Sequence, residues 1–168
     1  MKEEMIEIVN EAGQVLGIAP RSRVHGNPAL MHRVVHVLVL DKDGRILLQK
    51  RSMSKDVAPG RWDTSVGGHV DPGEQLEEAA AREMREELGI DLKTCLIYKY
   101  IHTNPYETEL VHTYKALWED EKLRYNPDEI DELRFWSVEE IKAAMGAGVL
   151  SDNFQDEFRK YLSHSAHA

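Results

Sequence analysis

Between Gly68 and Ile90 the chain reads GHVDPGEQLEEAAAREMREELGI, and no other stretch restricts the fold so tightly. The turn signal Asp71-Pro72-Gly73 precedes a run free of glycine and proline, and Gly89 follows as a helix stop. That punctuation predicts a helix from about Glu74 to Leu88, with Glu74 placed to cap its positive end. Leu76, Ala80, Met84 and Leu88 recur every fourth position and define an inward face. Glu83, Glu86 and Glu87 stand at i, i+3 and i+4, so at about 100° per residue they share another face. Carboxylates held so close repel and raise one another's pKa. A hard divalent cation relieves the conflict, and Mg2+ prefers carboxylate and phosphate oxygens. A solvated helix whose acids pair with Arg82 and Arg85 is the alternative, but it explains neither the glycines nor the crowding.

The pattern G-x5-E-x7-R-E-U-x-E-E-x-G-U, with U apolar, is matched here at every defined position and resembles the Nudix box. The resemblance implies a Nudix-type α/β fold: an α/β/α sandwich with a mixed sheet and the box helix on one face. It implies metal-dependent attack by water on a diphosphate linkage. Glu83, Glu86 and Glu87 would then hold Mg2+, with Mn2+ able to substitute and the backbone carbonyl of Gly67 adding a ligand. Glu87 is taken as the main ligand. The base for the attacking water is Glu83 or Glu86, or a group on a later loop. Arg82 can fork onto a carboxylate and fix its rotamer.

A second resemblance spans about Glu7 to Trp136. The order His25, His32, Arg51-Ser52, Ser54-Lys55, Pro59-Gly60, Trp62, Ser65-Val66, Gly68-His69 is similar to the type 1 isopentenyl-diphosphate isomerases. It implies a metal site of His25, His32, His69, Glu107 and Glu109, and diphosphate binding by Arg51 and Lys55. Read without it, the three histidines are equally scattered loop residues, the two glutamates a solvated pair, and Arg51 and Lys55 surface charges. His36, inside a strand, reads as a core or half-buried residue. Two departures oppose isomerisation. Those enzymes carry a catalytic cysteine in S-V-C-G-H, where this chain has Ser65-Val66-Gly67-Gly68-His69, and glycine cannot move a proton to or from carbon. They also abandon most of the box acids, which are intact here. Intact acids likewise oppose a non-catalytic nucleotide sensor. The reading is therefore a hydrolase, with an isomerase-like enzyme and a sensor as alternatives.

The length, 168 residues, suits one domain, with residues 1–30 as an N-terminal hairpin and connector. A net charge of −9 argues against a nucleic-acid partner. It leaves room for a small diphosphate substrate, since bound metal reverses the local charge. A nucleoside diphosphate derivative is the favoured class. Trp62, Trp118, Trp136 and Tyr106 offer stacking surfaces, although core packing suits most of them. MKEEMIEIVN lacks the basic and apolar regions of a signal peptide, no run reaches membrane-span length, and Cys95 is alone. A cytoplasmic protein with no membrane partner is expected, and a homodimer through the hairpin edge stays open.

Elsewhere the pattern predicts strands at Ile6 to Val9 and Gln14 to Ile18 around Gly13, then a connector with one helical turn between Pro20 and Leu30. Arg33 to Leu40 and Arg45 to Gln49 should pair across Asp41-Lys42-Asp43-Gly44 as the centre of the sheet. A short strand at Asp63 to Val66 would deliver Gly67-Gly68. Leu96 to His102 and Leu110 to Trp118 read as strands, Ser137 with Glu140 as a capping box, and Asp152 to Leu162 as a last helix with Ser163 to Ala168 frayed.

Overall fold

The computed structural model describes residues 2–167. Nine strands and four helices follow one another as β1 (Met5–Val9), β2 (Val15–Pro20), α1 (Arg21–Val24), β3 (Met31–Leu40), β4 (Ile46–Arg51), β5 (Trp62–Asp63), β6 (Val66–His69), α2 (Leu76–Leu88), β7 (Thr94–Thr103), β8 (Thr108–Leu117), β9 (Ile130–Trp136), α3 (Val138–Ala144) and α4 (Asp152–Ala166). The sheet is mixed and curls around β3. That strand runs parallel to β8 over ten registered pairs, Met31↔Thr108 to Leu40↔Leu117, and antiparallel to β6 over Val34↔His69 to Val37↔Val66.

Both faces of β3 are covered, which is why the strand reads as a nearly continuous apolar run. Val35, Val37 and Val39 point to one side, where they meet Ala79, Ala80, Met84 and Leu88 of α2. Leu38 points to the other, among Trp62, Trp136, Ile141, Phe154 and Phe158 beneath α3 and α4. Two layers of helix therefore sandwich one sheet. Burial of a side chain such as Met84 or Leu88 contributes about 2 kcal/mol, so the apolar stripe of α2 fixes which way its acids point.

Several local expectations are corrected. The strands flanking Asp41 to Gly44 meet only at Leu40↔Ile46. Beyond that pair the sheet curls, and β4 takes β9 and β5 as partners instead. Gly67 and Gly68 lie inside β6 rather than after a strand, because the backbone of β3 supplies their ladder partners. α2 begins at Leu76, so Glu74 sits in the preceding turn, where its carboxylate accepts Asp71 N–H at 2.9 Å. β9 was not anticipated, since IDELRFW alternates imperfectly. α4 stays helical to Ala166, beyond the expected end at Leu162, and Ala168 lies outside the described residues. Other expectations hold, including Gly89 in the left-handed region at φ 66° and the Ser137–Glu140 capping box.

Candidate functional site

A cavity of about 630 Å3 opens between α2, the end of β6 and the loop after β4. Glu83, Glu86, Glu87, Gly67, Arg51 and Lys55, separate in sequence, all line it. So do His69 and Glu109.

On α2 the three box acids differ. Glu87 is almost sealed: one oxygen accepts Gln49 Nε2 at 2.9 Å, and Oε2 is buried without a hydrogen-bond partner. Burial therefore holds its pKa well above the carboxylate range, and a cation at that oxygen would favour the ionised form. Glu83 is also raised, by burial first, although Arg82 Nη1 donates to it at 2.8 Å. Glu86 is more than half exposed and only loosely tied to Arg82, at 3.4 Å. Arg82 further donates to Glu74 at 2.9 and 3.0 Å and to the His69 carbonyl at 3.0 Å, so it acts as the internal counter-ion of the box. Glu74, whose pKa is lowered chiefly by that hydrogen bond, anchors Arg82 rather than capping the helix. Gly68 is required by close approach: a Cβ there would lie 2.2 Å from Glu83 Cδ.

The five residues suggested by the isomerase resemblance also converge. His25, His32 and His69 bring ligand atoms within 4.8 Å of one another, as do His32, Glu107 and Glu109. Ring centroids lie 5.1 to 5.8 Å apart. Carboxylate oxygens of Glu107 and Glu109 stand 3.9 and 3.8 Å from His32 Nε2. The β3–β8 register sets His32 beside Glu109. Both ring nitrogens of the fully buried His32 lack hydrogen-bond partners, as does Glu109 Oε1. Buried polar atoms are normally paired, so this donor set fits a divalent metal. Burial first, then His69 and His25, draw the His32 pKa down to about 3, the neutral form a metal needs. Burial first, then Glu107, push Glu109 up to about 7. Glu4 Oε2 lies 3.1 Å from His69 Nδ1 and orients that ring.

Arg51 and Lys55 reach the cavity with partners already in place. Arg51 Nε donates to the Val57 carbonyl at 2.7 Å and lies 3.5 Å from Asp63, and Lys55 pairs with Glu129. Trp62 and Trp136 are core residues, Trp118 packs on Phe135, and Tyr106 is exposed. Sequence reasoning missed Gln49, Glu4, Thr64, Asn126 and Asn153, which no motif marks. It also missed Glu157, whose signal was available: a charge on the same helical stripe as Phe154, Phe158 and Tyr161. Among the described residues no helix is long and apolar enough to cross a membrane.

The NUDIX domain model matches residues 30–155. The chain belongs to the NUDIX family. It has a Nudix-type pyrophosphohydrolase fold, and its general chemistry is cleavage of a phosphoanhydride. An isopentenyl-diphosphate Delta-isomerase of Streptomyces griseus subsp. griseus is 34% identical over 144 residues, 82% of this chain and 73% of its own. An uncharacterized Nudix hydrolase of Escherichia coli strain K12, YfcD, is 44% identical over 87 residues, 52% of this chain and 48% of its own. The crystal structure of DR0079 from Deinococcus radiodurans superposes with a TM-score of 0.79 at 29% identity, covering 94% of this chain and 98% of that one. This Nudix chain is thus related to the type 1 isomerases while lacking their catalytic cysteine, with Gly67 at that position.

Proposed function

We propose that this Nudix protein hydrolyses the diphosphate linkage of a nucleoside diphosphate derivative in a Mg2+-dependent reaction, with Mn2+ able to substitute. One observation carries the reading: a single cavity gathers the three box carboxylates, two cationic side chains and several neutral polar side chains. Bound at Glu83, Glu87 and the Gly67 carbonyl, the metal would neutralise charge developing on the phosphate oxygens. Glu87, the most buried of the three, is the main ligand. Arg82 holds Glu83 in its rotamer. Glu86, the least restrained of the three, is free to take the proton of the attacking water, and on this reading it is the base in preference to Glu83 or a later-loop group. Arg51 and Lys55 exchange their present partners for phosphate oxygens, as charge-assisted donors do.

The nucleoside part rests on the polar lining of that cavity. Thr64, Asn126 and Asn153 contribute to it, and Thr64 Oγ1 is buried without a partner. Such a surface suits the hydroxyls and ring heteroatoms of a nucleoside better than a hydrocarbon chain. Gly67 argues separately against isomerisation, since an allylic proton transfer needs a titratable group there.

The test is product release from nucleoside di- and triphosphates, nucleotide sugars, dinucleotides and isopentenyl diphosphate, read as inorganic phosphate directly or after coupling to a phosphomonoesterase and a pyrophosphatase, in Mg2+ and in Mn2+, beside Glu87→Gln. Turnover of a nucleotide that disappears in the variant is the expected result. Equal turnover by Glu87→Gln would remove the box from the mechanism. Release from isopentenyl diphosphate alone would sink the nucleoside assignment.

A further inference from the structure

α4 carries one carboxylate wholly out of solvent. Glu157 has no exposed surface and accepts from His36 Nδ1 at 2.7 Å, Thr113 Oγ1 at 2.9 and 3.1 Å, the Tyr100 hydroxyl at 3.2 Å and the Tyr98 hydroxyl. Four donors on one carboxylate are what an isolated buried charge requires. Tyr98, Tyr100 and Thr113 close the network inside the protein, and none of them lines the cavity. His36 does line it.

With Nδ1 committed to Glu157, the imidazole cannot turn over. Its other edge rests on Gly67, with Cδ2 3.2 Å and Nε2 3.5 Å from where a Cβ on Gly67 would stand. The β3–β6 register places His36 directly across from Gly67. The missing side chain at that position leaves the edge facing the cavity floor. Nε2 has no hydrogen-bond partner among the described residues, and His36 belongs to neither group of metal-ligating side chains. A purely structural network would end on a protein acceptor. This one ends on a ring nitrogen at the substrate cavity.

We propose that His36 is a substrate-contacting residue whose imidazolium donates Nδ1–H to Glu157 and Nε2–H to a phosphate oxygen of the bound diphosphate, and that Glu157 is its positioning residue. The ring then bridges two anions, one built into the fold and one supplied by the substrate. The proposal rests on the diphosphate reading above and adds a contact from outside the box.

The probe is methylenediphosphonate with Mg2+, a diphosphate mimic whose bridging carbon resists hydrolysis. His36→Asn keeps an amide near the Nδ1 position but cannot reach the cavity; His36→Gln places one near Nε2 without the Glu157 bond. Calorimetry should show His36→Asn binding the probe about 10-fold more weakly at an unchanged melting temperature, with partial recovery in His36→Gln. In the wild type, the His36 ring nitrogen resonances should move on adding the probe. Glu157→Gln should shift the Nδ1 resonance and weaken probe binding, while Mg2+ alone binds as before; a merely structural Glu157 would shift the resonance but leave probe binding unchanged. Wild-type affinity in His36→Asn, or an unmoved His36 resonance at saturation, would overturn the proposal. If His36→Asn does not fold, the wild-type resonance decides by itself. Failure of the wild type to bind the probe at all would overturn the diphosphate reading, and this inference with it.

Discussion

Two groups of ligating side chains meet at one cavity, the second reaching it through His69 and Glu109, and they are built on opposite plans. The box acids come from a single helix and bring their own counter-ion, Arg82, with Gln49 as a further donor. The histidine-rich group draws on five points between His25 and Glu109, and its most buried nitrogens and oxygens have no protein partner. The first arrangement is chemically complete without metal apart from one oxygen of Glu87. It suits a hard ion that arrives with the substrate and leaves with the product. The second is incomplete without an ion, and its imidazoles suit a transition metal held more tightly. Internal pairing, more than the number of acids, separates an exchangeable site from a resident one.

Glu87→Gln is the strongest way to break this division. It should lower kcat on the order of 10^3-fold while leaving transition-metal binding at the histidines intact, measured by steady-state kinetics beside metal titration. Gly68→Ala should displace Glu83 and cost about 100-fold in kcat/KM with the fold retained by circular dichroism. His32→Ala should weaken Zn2+ binding roughly 100-fold in a competition assay, yet leave Mg2+ dependence in place. If both metals fail together in that variant, the two groups are one site. Arg51→Ala should raise KM about 10-fold with a smaller change in kcat.

The smallest effect concerns stability. Glu109 titrates at about 7 in the fold against 4.5 as its ordinary value, so ionising it penalises the native state. Its contribution is full below about pH 4.5 and is lost as pH rises through about 7 in metal-free protein. His32, drawn to about 3 from 6.5, acts in the opposite direction, its contribution being lost as pH falls below 6.5. Comparison with Glu109→Gln separates the two. The melting temperatures should agree at about pH 4.5, and by pH 8 the metal-free variant should melt roughly 5 °C higher.

The same contrast explains what was legible. The box could be read because helical periodicity places Glu83, Glu86 and Glu87 together within one turn, whatever the remainder of the chain does. The layers were implied by the resemblance to the box family, and the stripe Leu76, Ala80, Met84, Leu88 marked the inward face of the box helix. The histidine group could be proposed only through family likeness, because nothing local to His25 or Glu107 reveals that β3, β6 and β8 are neighbours. The split of the β3–β4 hairpin was hidden for a related reason: pairing partners about 77 to 90 residues away outcompeted the adjacent strand. Glu74 was misread because a carboxylate near a helix start serves equally as a cap or as an arginine anchor, and the Arg82 guanidinium decided it.

The parallel pairing of β3 with β8 has a kinetic consequence. Joining strands about 77 positions apart is slow, because the loop entropy must be met before any contact rewards it. A slip of one residue would send Glu109 to the opposite face and dismantle the set around His32. During refolding, then, helical signal should return early and affinity for a transition metal late. A metal-sensitive dye added to refolding protein would time the closing of that strand pair.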